Sequence, residues 1–178
     1  MRPSAFLPVA AAFATLILFG IGGCGYHTVG AATHLPPNVK TVQVPVFATR
    51  TDSSGAETAM TEAVIRELET RTRFRVTSDS RADADAVLEG TILKQATTPL
   101  TYNSSTQQTS SFIITIVASV TLTARDGKIL YQNKNYVFRE QYQATTNLPT
   151  FFQEDPAAIQ RLSRAFAKQL VADVLEGF

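Results

Sequence analysis

The chain holds one cysteine, Cys24, only two histidines, His27 and His34, and no tryptophan. A single thiol excludes a disulfide within the chain. Both histidines fall in a stretch without sustained periodicity, ahead of the first strand pattern, where neither a metal cage nor a buried general base is easily built. Nucleophilic catalysis of the Ser-His-Asp kind therefore lacks its parts. No glycine-rich phosphate loop follows a strand pattern. An excess of one charge is missing too, because sixteen Lys and Arg face fifteen Asp and Glu. That balance does not recruit nucleic acid through bulk electrostatics. The lack of Trp, set beside frequent Thr, favours strands over a helical bundle.

What is present starts at the N-terminus. Arg2 precedes an apolar and small-residue run from Ala5 to Gly20, and Ile21-Gly22-Gly23-Cys24-Gly25 follows. A charged start, an apolar middle too short for a comfortable span and small residues at the end are the three parts of a secretory signal. The segment resembles the lipobox of bacterial lipoproteins, which implies that the bond before Cys24 is cut and its thiol acylated. One acyl chain holds a protein at a membrane only marginally, and two or more hold it stably. The expected organisation is a signal peptide over 1–23, a lipidated N-terminus and tether over 24–37, and one domain over 38–178. Cleavage leaves 155 of the 178 residues, enough for one core and too few for two ordinary domains. The alternative, an uncleaved anchor over Ala5 to Gly23, is short and interrupted by Pro8.

Thr41 to Phe47 alternates, with Val42, Val44 and Val46 on one face, and Pro45 places this strand at an edge or near its end. Ser54 and Glu57 form a capping box for a helix whose stripe is Met60, Ala63, Val64 and Leu68. Phe74 to Val76 and Ala86 to Ala96 read as a short and a longer strand, and Thr97 to Ser110 as a polar loop. Ser111 to Ala124 is the clearest strand: Phe112, Ile114, Ile116, Ala118, Val120 and Leu122 share one face, and Thr115, Ser119, Thr121 and Thr123 dominate the other. Asp126-Gly127 predicts a hairpin into Ile129 to Tyr142. Asp155-Pro156 predicts the start of a last helix, striped by Ile159, Leu162, Phe166, Leu170 and Val174 and stopped by Gly177. The fold class is α+β: two helices packed on one face of a mostly antiparallel or mixed four-stranded sheet, in the order β-α-β-β-β-α. The Thr-, Gln- and Asn-rich sheet face is left open or covered by a partner.

Carboxylates offer little chemistry. Asp83 and Asp85 read as a solvated turn, and Glu154 and Asp155 as helix-start residues favoured by the dipole. No catalytic residue, cofactor site or metal site is expected, which makes the chain a binding or scaffold protein.

Cys24-Gly25-Tyr26-His27, the passage from Leu35-Pro36 to Val46, Ala82-Asp83-Ala84-Asp85-Ala86-Val87-Leu88-Glu89-Gly90, the hairpin around Asp126-Gly127 and the closing Phe166 to Phe178 together resemble the lipopolysaccharide-assembly lipoproteins, LptE. The resemblance implies a non-enzymatic outer-membrane lipoprotein that plugs and helps assemble a β-barrel translocon (LptD-like) and contacts lipopolysaccharide during its export. It implies a domain on the periplasmic side, lipid-anchored and inserted in the barrel lumen. A contact to lipid phosphates needs Lys or Arg near exposed strand ends, and the candidates are Lys94, Arg125 and Lys128. The alternative reading is a lipoprotein that activates or scaffolds a periplasmic cell-wall synthase or another envelope machine; the short tether favours a partner in the same membrane.

Overall fold

Alternation along Ser111 to Ala124 organises the molecule. In the computed structural model, which describes residues 35–51, 55–79, 83–102, 109–143 and 148–177, this segment lies in strand β5 (Thr109–Ala124). Ile114, Ile116, Ala118, Val120 and Leu122 are at most 1% exposed, while Thr115, Ser119, Thr121 and Thr123 on the other face keep part of their surface. β5 pairs antiparallel with β4 (Ala86–Tyr102) on one side and β6 (Ile129–Gln143) on the other. The hairpin into β6 forms as expected. Gly127 takes φ +85°, the left-handed region that glycine enters without steric cost. The Gly127 amide donates to the Ala124 carbonyl at 2.9 Å, and the Ala124 amide to the Lys128 carbonyl at 2.8 Å.

The N-terminal half adds strands in parallel. β1 (Thr41–Gln43) lies between β4 and β3 (Arg75–Thr77), parallel to both, and β2 (Ala48–Thr49) pairs in parallel with β4 further along. The sheet therefore has six strands, in the order β3-β1-β4-β5-β6 with β2 also on β4, and not the four expected. Pro45 accounts for part of the difference: it has no amide hydrogen for the ladder, and the expected strand over Thr41 to Phe47 stops at Gln43, with β2 a separate strand beyond it. The expected polar loop is also shorter than Thr97 to Ser110. β4 runs on to Tyr102, and register shifts on either side of Thr101 follow Pro99. The pairing partners Ile114, Ile113 and Phe112 keep Thr97, Thr98 and Pro99 in the ladder.

Two helices cover one face. α1 (Ala56–Arg71) buries Met60, Ala63, Val64 and Leu68 as expected, with Ala56, Ala59 and Thr61 beside them. The Glu57 carboxylate accepts the Gly55 amide at 3.0 and 3.1 Å; Ser54, the other half of the expected capping box, lies outside the described residues. α2 spans Leu148–Glu176 and ends at Gly177, whose φ is +74° and whose amide donates to the Asp173 carbonyl. It begins seven residues before Asp155, so Pro156 stands inside it and does not open it. Pro149 occupies the first turn instead, where a missing amide hydrogen is lost to no intrahelical bond. Leu68 of α1 and Leu170, Val171 and Val174 of α2 meet Val42, Leu88 and Leu122 of the sheet. Phe166 lies edge-on to Phe47, Tyr136 and Phe138 at 5.4–6.1 Å. Between β6 and α2 the Tyr131 and Tyr136 hydroxyls share a hydrogen bond, and Tyr136 donates to Asp173 at 2.6 Å. Burial first, then these bonds, push the Tyr136 hydroxyl far above the usual tyrosine range.

Two contacts fix how the N-terminal segment lies on the sheet. The Phe47 amide donates to Thr61 Oγ1 on α1 at 3.0 Å, and the Phe47 ring covers Gly90 so closely that a β-carbon there would stand 2.4 Å from it. At the other contact Asp85 Oδ2 accepts the amides of Lys40 and Thr41, both at 2.9 Å. The Asp85 amide donates to the Thr41 carbonyl, and the Arg125 amide to the Asp85 carbonyl. The Arg125 guanidinium meets Asp83 at 2.7 Å and Asp85 at 3.7 Å and donates from Nε to the Ala84 carbonyl. The ends of β1, β4 and β5 are thereby tied together. Asp85 is held below the usual carboxylate range, first by the Lys40 and Thr41 amides and then by the charges of Arg125 and Lys40.

Gly90→Ala is expected to cost about 1–3 kcal/mol through overpacking, and the cost should shrink in a Phe47→Leu background; equal losses in both backgrounds, measured by urea unfolding, would refute the contact. Asp85→Asn should lower Tm at pH 7. A carboxylate with a depressed folded pKa stabilises above its unfolded value, about 3.9, and that contribution disappears as pH falls through the folded pKa. The Tm gap between wild type and variant should therefore narrow below about pH 4, and a gap constant down to pH 2 would count against the clamp.

Candidate functional site

Period-two geometry gives the sheet a second face, over which neither described helix lies. On β5 it carries Ile113, Thr115, Val117, Ser119, Thr121 and Thr123, the positions that alternate with the buried row. Register extends it sideways. Thr121 lies between Glu89 and Gln132, Thr115 between Ala96 and Arg139, and Val117 between Lys94 and Val137. From Gln95 to Ala124 the sequence contains no Asp, Glu, Lys, Arg or His, so the centre of this face is uncharged and rich in hydroxyls. Its few charges come from the flanking strands, with Glu89 and Lys94 on β4 and Arg139 on β6. Lys94 and Arg139 are exposed.

The three cations expected to meet lipid do not form one site. Arg125 and Lys128 flank the same turn, but Lys94 pairs with Val117, seven residues along β5 from Ala124, or about 24 Å. Arg125 is engaged by Asp83 and Asp85. Lys128 is exposed and lines a cleft of about 610 Å³ with Pro36, Val39, Asp85, Arg125 and Leu130. The N-terminal segment enters the domain at this end, where Leu35, at the limit of the expected tether, is buried in the core. Cys24, His27 and His34 lie outside the described residues.

Arg139 is the residue that sequence reasoning missed. Its signal was present in the alternation of β6, where Tyr136 and Tyr142 are buried and Val137, Arg139 and Gln141 between them are exposed. That alternation is interrupted by a bulge, since Val120 pairs with Asn133 and Ala118 with Tyr136. Asp83 and Asp85, expected as a solvated turn, are the acceptors of the strand-end clamp. Among the described residues no three His, Cys, Asp or Glu side chains stand together to hold a metal ion. None of the described helices is long and apolar enough to cross a membrane.

Solved structures share this architecture. A lipoprotein B from Nitrosomonas europaea superposes with a TM-score of 0.53 at 12% identity, covering 84% of this chain and 90% of its own. A lipoprotein from Caulobacter crescentus gives 0.51 at 9% identity, covering 74% and 89%. The protein CT253 from Chlamydia trachomatis gives 0.51 at 13% identity, covering 77% and 96%. At these identities the likeness is one of fold. No curated protein matches the sequence. The profile of the family described as "LptE: Lipopolysaccharide-assembly" matches residues 39–174, from just before β1 to the last turn of α2. A match over that extent, on a six-stranded sheet backed by two helices, places this chain in the LptE lipopolysaccharide-assembly family.

Proposed function

We propose that this protein is a non-enzymatic lipoprotein of the outer membrane, held by acyl chains on Cys24, that sits in the lumen of a β-barrel lipopolysaccharide translocon and helps that barrel assemble. The observation that carries the reading is the helix-free face of β4, β5 and β6, whose central strand presents Thr115, Ser119, Thr121 and Thr123 and no charge. A protein surface enclosed by another protein must leave few charges unpaired, because a desolvated lone charge costs several kcal/mol. Barrel interiors of the outer-membrane type are polar. Hydroxyl-bearing strands meet such a wall with short, neutral donors and acceptors that need no counter-ion.

The anchor fits the same arrangement. Between Cys24 and the buried Leu35 stand ten residues, which reach about 35 Å when extended. A domain on so short a lead meets partners embedded in or lying at its own membrane, at high effective concentration. Contact with lipopolysaccharide falls in this reading to Lys128, the cation beside the cleft at the strand-end turn whose ammonium has no ion pair among the described residues. Arg125 positions that turn.

A photo-crosslinking amino acid at Thr121, on the open face, is expected to capture an integral outer-membrane barrel in cells. The same group at Arg164, on the exposed side of α2, is expected to capture it far less, and Cys24→Ala should abolish capture at both. Crosslinks from Thr121 to a cell-wall synthase, with no barrel, would refute the plug and support the activator reading.

A further inference from the structure

Register sets Lys94 and Arg139 on either side of the neutral centre of β5. Both are exposed on the helix-free face, and neither has an ion-pair partner among the described residues. Lys94 lies opposite Val117, and Arg139 opposite Thr115 on the far side of β5. Two strand spacings across and two residues along separate their α-carbons by about 12 Å. The nearest carboxylate on this face of β4 is Glu89, opposite Thr121 and about 14 Å further along the strand. Glu140, next to Arg139 in sequence, belongs to the other face and is taken by Arg161 at 2.5 Å. The surface between the two cations is Ala96, Thr115, Val117 and Val137, which offers no counter-charge.

A wall of protein laid over this face removes both cations from water, and that desolvation is repaid only where carboxylates meet them. A lipid headgroup is the poorer match on grounds of shape. Small ligands settle in concave sites, whereas Lys94 and Arg139 sit across a continuous sheet. The described clefts lie elsewhere: one is at the Arg125–Lys128 turn, the other beside Tyr142, Ala157 and Arg161 at the end of β6. We infer that Lys94 and Arg139 are the electrostatic docking pair of the open face, matched by two carboxylates about 12 Å apart on the partner's surface. Resting on the plug reading, that surface is the lumen wall of the barrel. The pair fixes register: with neutral hydroxyls over the rest of β5, these two charges select one orientation of the sheet against the wall.

The test uses the full-length lipoprotein, tagged at its C-terminus, co-expressed with its barrel and purified from membranes, with barrel per lipoprotein and bound lipopolysaccharide quantified. Lys94→Glu with Arg139→Glu should lower barrel recovery by about tenfold or more. Lys94→Arg with Arg139→Lys should stay near wild type. Arg164→Glu with Lys168→Glu, the same charge change on the exposed side of α2, should also stay near wild type. An unchanged melting curve of the purified Lys94→Glu, Arg139→Glu protein shows that the loss is not one of folding. Undiminished barrel recovery by this variant overturns the docking pair and leaves the plug standing. Undiminished barrel with lost lipopolysaccharide assigns the cations to lipid and overturns it equally. A wild-type protein that recovers no barrel overturns the plug reading and this inference together.

Discussion

The alternation of β5 is the constraint from which the rest of the molecule follows. It is a long strand paired along most of its length on both sides, so its register decides which residues of β4 and β6 share a face. One set, Ile114 to Leu122, draws both helices onto the sheet and is buried almost completely. The other set, Thr115 to Thr123, cannot be satisfied by an apolar cover, and no described element lies over it. A slip of one residue would exchange the two sets. Core and open face are thus two readings of one strand, and under the plug proposal substitutions on the hydroxyl face act on association while those on the apolar face act on folding.

The parts of the fold that were legible in the sequence are those with strong local period. The Met60–Leu68 stripe, β5 and the Asp126-Gly127 turn each announce themselves within a dozen residues. What escaped depends on partners far away in sequence. The short strand read over Phe74 to Val76 is present at Arg75–Thr77, whereas β2, only two residues long, shows no period and owes its strand character to pairing with β4 across α1. The continuation of β4 through Thr97, Thr98 and Pro99 is held by β5, against local polarity that reads as loop. Asp155-Pro156 is a sound helix start taken alone, but Pro149 has already filled that role upstream. The candidate site was legible to the same degree. Lys94 lies on a strand that the sequence shows, whereas the position of Arg139 beside it needs the register of β6 past its bulge.

Charges in this protein divide by their work. Asp83, Asp85 and Arg125 are consumed at the strand ends, where Asp85 satisfies the Lys40 and Thr41 amides before β1 begins its ladder. A buried or half-buried backbone donor without an acceptor is costly, so the Ala-Asp-Ala-Asp run that precedes β4 is a structural device, with one carboxylate per task. Glu140 and Arg161 bind β6 to α2 in the same manner. Subtracting these pairs leaves Arg75, Lys94, Lys128, Lys134 and Arg139 among the cations on or beside the sheet without an ion pair among the described residues, and position distinguishes Lys94, Arg139 and Lys128 from the rest.

Those three then separate by geometry. Lys128 stands at a cleft lined also by Pro36 and Val39, at the N-terminal end of the described domain. Lys94 stands about 24 Å away along the sheet and Arg139 about 31 Å, on a face where the nearest carboxylate of β4, Glu89, is about 14 Å from Lys94. Two cations beside the neutral centre of an open face have no evident structural use in the fold, and leaving them in water costs it little. Their placement gains meaning only when the face is covered. A neutral, hydroxyl-rich strand gives a partner wall adhesion without direction, and a pair of charges set across that strand supplies the direction.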